Sequence, residues 1–234
     1  MKAMILAAGR GTRLQPLTAD RPKALVEIGG VTLLEHVARR LVAAGVTEAV
    51  INLHHHAEMI PAFVERHARW GLQRMEYSRE TELLDTGGGL KQAAWFFDDG
   101  RPFLVHNVDV LSDIDLAALL RAHQASGALV TLAAKARSTA RPLLFDAAGR
   151  LVGRRTAGEG DRLVRPPQGE TVPLGFCGIQ AVSPGLFAKI TETGAFPLAK
   201  CYLRLAGLGE TICVHRVDDA RWRDCGRVED LRPL

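Results

Sequence analysis

Apolar positions along roughly the first 135 residues alternate between short continuous runs and longer stretches with helical spacing. Five short runs predict buried strands, at residues 3–6, 49–53, 73–77, 102–106 and 128–133. Four stretches with helical spacing predict helices between them, at residues 33–42, 57–70, 89–97 and 116–125. Strand and helix in alternation predict a parallel sheet with helices on both faces. Ligands of such sheets bind beyond the carboxyl ends of the strands.

The alternation stops after Arg137, and the second part of the chain has a different pattern. Short apolar segments at 143–145 and 150–152, joined by the turn 146–149, predict a β-hairpin. The polar, Gly/Pro-containing stretch 156–168 predicts a mobile loop. Residues 174–182 predict a further strand, and Ser183-Pro184 predicts the capped start of a helix. No internal repeat or long linker divides the chain, so we expect a single domain.

Composition narrows the classes of protein to consider. The chain has 234 residues, of which 47% are apolar and 24% charged, which excludes intrinsic disorder. No apolar run is long enough for a membrane span or a signal peptide, so we expect a cytoplasmic protein. A net charge of +4 is spread along the chain, which favours anionic small molecules over nucleic acid. The four cysteines form no CxxC pair, so we expect reduced thiols.

The loop at residues 7–13 directly follows the first predicted strand and carries two glycines. Glycine lets the backbone approach a phosphate closely and point its N–H groups at it. The loop is not a Walker A motif, because no Lys-Ser/Thr follows the glycines. Arg13 lies in the loop and Lys23 follows it, so two cations accompany the candidate phosphate site. Asp109 follows a later strand and suits Mg²⁺, which prefers one or two carboxylates plus phosphate oxygens and water.

These segments together resemble the signature of the sugar-1-phosphate nucleotidylyltransferases, also called nucleotide-sugar pyrophosphorylases. The resemblance begins with AAGRGTRLQPLT…RPKALVEIGG and continues with LLDTGGG, NVD, GFCGIQAVSP and WRDCG, in that order. Within the family the chain most resembles the bacterial N-acetylmuramate-1-phosphate uridylyltransferase type. The resemblance implies a Rossmann-like (GT-A-like), mixed and mainly parallel sheet with a sugar-side β insertion. It implies one domain over 1–234, with a nucleotide-binding core at 1–135 and a sugar-binding and closing part at 136–234.

The resemblance also implies which residues bind the nucleotide. The backbone of Ala7, Ala8 and Gly9 would receive the base and ribose. The second half of the loop, Gly11, Thr12 and Arg13, would hold the β- and γ-phosphates. Glu80 and Gly88 would read the edge of the base.

The acceptor and the metal have their own implied residues. Lys23 would lie between the α-phosphate and the sugar phosphate, and it forms the predicted catalytic pair with Arg13. Asn107 and Gly175 would contact the sugar. Asp109 and Asp224 would share one Mg²⁺ ion.

The implied reaction moves a nucleotidyl group from an NTP, with UTP as the expected nucleotide, to a sugar 1-phosphate. The second pKa of a phosphate monoester is about 6, so the attacking oxygen is already ionised and no general base is needed. NTP and sugar 1-phosphate are then the expected partners of a monomer or homodimer that binds neither nucleic acid nor membrane.

Four positions depart from the family pattern. Val108 replaces the usual glycine before the first metal aspartate and could narrow the site or only adopt a β conformation. Arg227 replaces a threonine and could add a cation near the triphosphate or only a surface charge. The usual central Glu-Lys pair is absent, and Arg154 and Arg155 are loose substitutes for it.

Several alternatives stay open from the sequence. A carboxylate at Glu80 can only accept hydrogen bonds, which favours uracil, thymine or guanine over cytosine and adenine. Guanylyl transfer to mannose- or heptose-type 1-phosphates, cytidylyl transfer to a phosphocholine-like acceptor, and a non-catalytic nucleotide-sugar-binding homologue remain rival functions. Three consecutive histidines at 54–56 cannot all face one metal ion if they are extended, because neighbouring strand residues alternate faces.

Overall fold

The computed structural model describes residues 1–231. These residues form a mixed sheet packed between helices. The strands are β1 Lys2–Leu6, β2 Glu27–Ile28, β3 Val31–Thr32, β4 Glu48–Leu53, β5 Arg74–Arg79, β6 Phe103–Asn107, β7 Val110–Ser112, β8 Val130–Lys135, β9 Leu143–Phe145, β10 Leu151–Thr156, β11 Gly160–Leu163, β12 Val172–Val182, β13 Ile212–Arg216 and β14 Trp222–Asp224. The α-helices are α1 Leu33–Ala43, α2 Met59–Arg66, α3 Asp85–Gln92, α4 Leu116–Ser126 and α5 Leu198–Gly207. Shorter 3₁₀ helices lie at Thr12–Leu14, Lys23–Leu25, Ala68–Gly71, Ala94–Phe96, Pro184–Lys189 and Val228–Asp230.

The main sheet has ten strands and two different halves. Strands β5, β4, β1 and β6 are parallel neighbours in that order, as the alternating pattern predicts. Beyond β6 the long strand β12 runs antiparallel and also pairs with β8 and β9. The mixed α/β class is therefore confirmed. The expectation that the segment 128–133 directly joins the parallel strands is wrong, because β12 lies between β6 and β8.

Alternate residues of β1 belong to two separate hydrophobic clusters, one on each face of the sheet. Ala3 and Ile5 face the side covered by α1, α2 and α4. Met4 and Leu6 face the side covered by α3 and α5. Burial on both faces explains why the strand is a continuous apolar run rather than an alternating one.

Two predicted helices have different bounds in the structure. Helix α2 ends at Arg66, since Ala68, Arg69 and Trp70 adopt left-handed backbone angles that cannot continue a right-handed helix. Helix α3 begins at Asp85 and ends at Gln92, with the glycine triplet 87–89 inside it. The prediction of a helix over 89–97 is wrong at both ends.

The second half contains confirmed and corrected elements. The hairpin of β9 and β10 is confirmed, and the Asp146 carboxylate holds its turn by accepting from the Ala148 and Arg150 amides at 3.0 and 2.9 Å. The stretch 156–168 is not simply a loop, because β11 pairs with β10. Ser183 begins a 3₁₀ helix rather than an α-helix, and its hydroxyl donates to Ala128 O instead of capping. Helix α5, β13 and β14 had no sequence prediction.

All four cysteines are free thiols, as expected. Burial raises the pKa of Cys177, Cys201 and Cys225 to about 11, so these thiols stay protonated at neutral pH. Within residues 1–231 no helix has the length and apolar character needed to cross a membrane.

The glycines of α3 allow it to pack directly against the segment 194–196. A Cβ at Gly88 would lie 2.4 Å from the Gly194 carbonyl oxygen, and one at Gly87 would lie 2.2 Å from the Phe196 ring. The close approach therefore requires residues without side chains at these two positions.

We predict that Gly88→Ala lowers the free energy of unfolding by about 2 kcal/mol, because a backbone oxygen cannot yield and the strain exceeds the gain in helix propensity. Gly185→Ala is the matched control, since its nearest neighbour would be 3.8 Å away. Urea denaturation of both variants measures the difference. Equal stability of the two variants would contradict the packing explanation.

Candidate active site

A cavity of about 380 Å³ lies beyond the carboxyl ends of the parallel strands, where the sheet topology predicts a ligand. It gathers residues from motifs that are far apart in the chain. Its lining residues are Leu6, Ala8, Gly9, Lys23, Asn52, Glu80, Leu83, Asp85, Thr86, Asn107, Asp109 and Ala195.

The loop after β1 folds back over Lys23, and Gly11 makes this possible. Gly11 has a φ of 64°, and a Cβ there would lie 3.0 Å from Thr18 Cγ2 and 3.1 Å from Lys23 Cβ. Its carbonyl oxygen accepts from the Leu14 amide at 2.8 Å and from the Thr18 hydroxyl at 2.9 Å. The left-handed backbone and the tight contacts both call for glycine.

A chain of buried hydrogen bonds joins the ends of three strands beneath this loop. The Ala7 amide donates to Asn52 Oδ1 at 2.7 Å, and Asn52 Nδ2 donates to Glu80 Oε1 at 2.7 Å. The second oxygen of Glu80 accepts from the Leu84 amide at 2.9 Å, just before α3. Asn52 and Glu80 are 3% and 5% exposed, so each polar group depends on its protein partner rather than on water.

Lys23 and Asp109 form an ion pair in the wall of the cavity. Lys23 Nζ lies 2.7 Å from Asp109 Oδ2, and the two side chains are 14% and 13% exposed. A half-buried pair of this kind is costly to break from one side, because the remaining charge is left without a partner.

The second predicted metal ligand lies next to the first. Strand β14 pairs with β7 so that Asp224 opposes Val110, and the Cys225 amide donates to the Asp109 carbonyl oxygen at 2.7 Å. A Cβ at Gly226 would lie 2.8 Å from both Arg13 Nη2 and Asp224 Oδ1. The structure thus brings the backbone segments of the two aspartates and the loop arginine close together, although Thr12, Arg13 and Asp224 are exposed and do not line the cavity.

The other predicted contact residues occupy different environments. Asn107 lines the cavity, and its carbonyl oxygen accepts from His106 Nδ1 at 2.8 Å. Burial lowers the pKa of His106 to about 4, so this donor is neutral at pH 7. Gly88 and Gly175 do not line the cavity. Gly88 faces Gly194, and a Cβ at Gly175 would lie 2.6 Å from Arg137 Nε, so the roles of both glycines in ligand binding stay predictions.

A second cavity of about 290 Å³ adjoins the first and shares four of its lining residues. The shared residues are Leu6, Asp85, Thr86 and Asn107, and the other walls are Leu132, Leu143, Phe176, Gln180, Pro197, Leu198, Ala199 and Tyr202. Gln180 Oε1 and the Tyr202 hydroxyl are buried and close enough to interact with each other, and they have no other hydrogen-bond partner among residues 1–231. Burial raises the pKa of Tyr202 well above its usual value, so the hydroxyl remains a donor.

The positions that depart from the family pattern lie outside the first cavity. Val108 is fully buried in the core, and Arg227 lies 3.6 Å from Glu229 in an exposed ion pair. Arg154 and Arg155 are on β10 and do not line the cavity. The three histidines at 54–56 are part of no group of three potential metal ligands in the described part of the chain.

Sequence reasoning missed six lining residues, which are Leu6, Asn52, Leu83, Asp85, Thr86 and Ala195. Asn52 is a polar residue inside an apolar strand, which is a signal that could have marked it. Asp85 has a φ of 57°, unusual for a residue with a side chain, and its carboxylate accepts from the Thr86 amide at 2.6 Å. Strained backbone of this kind is common at ligand sites, but it is visible only in the structure.

Comparison with known proteins agrees with this geometry. A sequence profile described as nucleotidyl transferase matches residues 2–143. The chain belongs to the nucleotidyl transferase family. One curated relative of this nucleotidyl transferase is the N-acetylmuramate alpha-1-phosphate uridylyltransferase of Caulobacter vibrioides. It is 37% identical over 216 residues, which are 88% of this chain and 85% of the relative. The mannose-1-phosphate guanyltransferase of Gibberella zeae is 42% identical over 54% of this chain and 35% of its own.

Solved structures share the fold of this nucleotidyl transferase. A putative glucose-1-phosphate thymidylyltransferase from Bacillus anthracis has a TM-score of 0.82 at 16% identity, over 99% of this chain and 92% of its own. HddC from Yersinia pseudotuberculosis, complexed with GMP-PN, has a TM-score of 0.76 at 21% identity, over 98% of this chain and 96% of its own. The predicted family resemblance, fold and enzyme class are therefore confirmed.

We predict that Asn52→Asp makes stability fall as pH rises from about 5 to 8, relative to the parent. The variant places a second buried carboxylate beside Glu80, so one of the two must keep a proton and its folded-state pKa is raised. Because the folded state then holds this proton more tightly than the unfolded state does, the fold is stabilised at low pH. That stabilisation is lost as the pH rises through the raised pKa. Melting temperatures across this range measure the effect.

Gln73→Glu is the control for Asn52→Asp, because it adds the same charge at an exposed position. Its melting temperature should follow the parent at every pH. Parallel pH profiles for Asn52→Asp and the parent would show that the two side chains are not coupled.

Proposed function

We propose that the protein transfers a uridylyl group from UTP to a sugar 1-phosphate and releases pyrophosphate. The pair of adjoining cavities carries the proposal. The first is polar and contains the Lys23–Asp109 pair, and the second is mainly apolar and contains the buried polar ends of Gln180 and Tyr202, which have no partner other than each other. The first suits a nucleotide with its phosphates, and the second suits a sugar whose hydroxyl or amide groups satisfy Gln180 and Tyr202.

The choice of base is supported by one side chain and one relative. Glu80 lines the first cavity, and its two oxygens already accept from Asn52 Nδ2 and the Leu84 amide. The lone pairs that remain can accept but not donate a further hydrogen bond, which suits the N3–H of uracil. The relative from Caulobacter vibrioides is named as a uridylyltransferase. GTP is the second candidate, since guanine also presents N–H donors and the relative from Gibberella zeae is named as a guanyltransferase.

The phosphates have cations on both sides in this proposal. The backbone of Gly11 and Thr12 and the guanidinium of Arg13 hold the β- and γ-phosphates, which leave as pyrophosphate. The Lys23 ammonium lies between the α-phosphate and the acceptor phosphate, where a compact positive charge can serve two anions.

The two aspartates fit a magnesium ion. Asp109 lies just before β7 and Asp224 is the last residue of β14, which pairs with β7. Mg²⁺ typically takes one or two carboxylates and completes its coordination with substrate oxygens and water. The ion would neutralise negative charge on the phosphate oxygens. No group of three potential protein ligands occurs within residues 1–231, so substrate oxygens are needed to complete the site.

The chemistry needs positioning and charge rather than a protein base. An ionised oxygen of the sugar phosphate forms a bond to the α-phosphorus of UTP. The bond from that phosphorus to the oxygen that bridges to the β-phosphate breaks, and its electron pair leaves with pyrophosphate. The acceptor is already deprotonated near neutral pH, so the chain's residues only align the two phosphates and stabilise the transition state.

We expect pyrophosphate release from UTP with a sugar 1-phosphate when each common NTP is tested against a panel of sugar 1-phosphates. Chelation of divalent ions should reduce the rate at least about hundredfold, and added Mg²⁺ should restore it. A chain that releases pyrophosphate with no combination is not the proposed enzyme. Turnover restricted to CTP or ATP would contradict the role of Glu80.

We also predict that Lys23→Met, Asp109→Asn and Asp224→Ala each reduce kcat by about a hundredfold or more, or about 3 kcal/mol of transition-state stabilisation. Circular dichroism should show a retained fold. Asp161→Asn is the control, because it removes a carboxylate from an exposed ion pair with Arg155 outside the cavity. Near-parent turnover in all three variants would contradict the assignment of the site.

A further inference from the structure

A third cavity, of about 340 Å³, lies between the β10–β11 hairpin and helix α5. Four of its lining residues are basic and none is acidic. The lining residues are Arg154, Arg162, Val164, Pro197, Lys200, Leu203 and Arg204. We call it the basic cavity.

The hairpin places two like charges directly opposite each other in this cavity. Arg154 opposes Arg162 in the antiparallel register of β10 and β11. Like charges in this relation destabilise a sheet. The next pair in the register is Arg155 and Asp161, which face each other with opposite charge at an Nε–Oδ1 distance of 2.5 Å. The hairpin thus has one matched pair and one mismatched pair.

No carboxylate within residues 1–231 forms an ion pair with Arg154, Arg162 or Lys200. The fourth cation is already neutralised, since Arg204 Nε lies 2.7 Å from Glu192 Oε1. Arg204 lowers the pKa of Glu192 to about 2, so this carboxylate is held by its own partner. Three positive charges therefore share one cavity without compensation.

Helix α5 separates the basic cavity from the proposed sugar compartment. Lys200, Leu203 and Arg204 lie on one side of the helix by their three- and four-residue spacing. Leu198 and Tyr202 face the other cavity from the same helix. The basic cavity is thus outside the proposed catalytic centre.

We propose that the basic cavity binds a small anion of the phosphate class with at least two negative charges. Guanidinium groups present fork-shaped donor pairs that match phosphate oxygens, and two such groups face each other here. Repulsion between Arg154 and Arg162 lowers the stability of the hairpin, and a bound anion would remove this repulsion. The inference does not depend on the proposed reaction.

The binding test is a calorimetric titration of the full chain with inorganic pyrophosphate in metal-free buffer. The double variant R154Q/R162Q should lose one pyrophosphate from the binding stoichiometry, or bind it at least tenfold more weakly. The control R155Q/D161N changes the same two strands at the matched pair and should bind as the parent does. Identical isotherms for the parent and R154Q/R162Q would overturn the proposal, as would retention of a nucleic acid polyanion without pyrophosphate binding.

The stability test needs no ligand. Without the repulsion, R154Q/R162Q should melt about 2 °C above the parent at low ionic strength, and the difference should disappear at about 0.5 M NaCl, where charges are screened. Pyrophosphate should raise the melting temperature of the parent more than that of R154Q/R162Q at matched ionic strength. A variant that melts at or below the parent would remove the premise of uncompensated charge.

Discussion

The hydrogen bonds from Ala7 through Asn52 and Glu80 to Leu84 cross the ends of three parallel strands and reach the start of α3. All of these groups are removed from water or nearly so, and an unpaired buried polar group costs about 1–3 kcal/mol. The loop after β1 therefore cannot shift without breaking a bond that also holds α3. This coupling keeps Ala8 and Gly9 at the wall of the cavity, and it makes the geometry of the first cavity a property of the sheet rather than of the loop alone.

The positions of the charged groups in the candidate site also depend on how the strands pair. Asp109 follows β6, while Asp224 belongs to β14, a three-residue strand that pairs with β7. The short pairing brings the backbone of Asp224 and Cys225 beside Asp109 and Val110. Arg13 reaches the same place because Gly226 has no side chain to exclude its guanidinium. Lys23 pairs with Asp109, so the charge of this carboxylate is compensated before any substrate binds.

The sequence allowed prediction of features that depend on local residues. Apolar runs located β1, β4 and β6, and the turn residues 146–149 located the β9–β10 hairpin. Features that depend on distant partners were missed. Asn52 is recognisable as a site residue only when Ala7 and Glu80 are seen beside it. The start of α3 at Asp85 and its buried glycines depend on contact with the segment 194–196. Likewise β11 forms by pairing with β10, and its four residues are all exposed and carry no apolar pattern.

The insertion of β12 between β6 and β8 creates a second cavity beside the first, one for each of the two proposed substrates. Strand β12 contributes Phe176 and Gln180 to the second cavity, and α5 adds Tyr202, so this cavity is built by the second half of the chain. The first cavity is built mainly by the strand ends of the first half. Asn107 lines both, at the point where the parallel strands meet the antiparallel one. If the second cavity binds the acceptor as proposed, changes in β12 or α5 alter the acceptor while the strand ends that form the first cavity keep their positions.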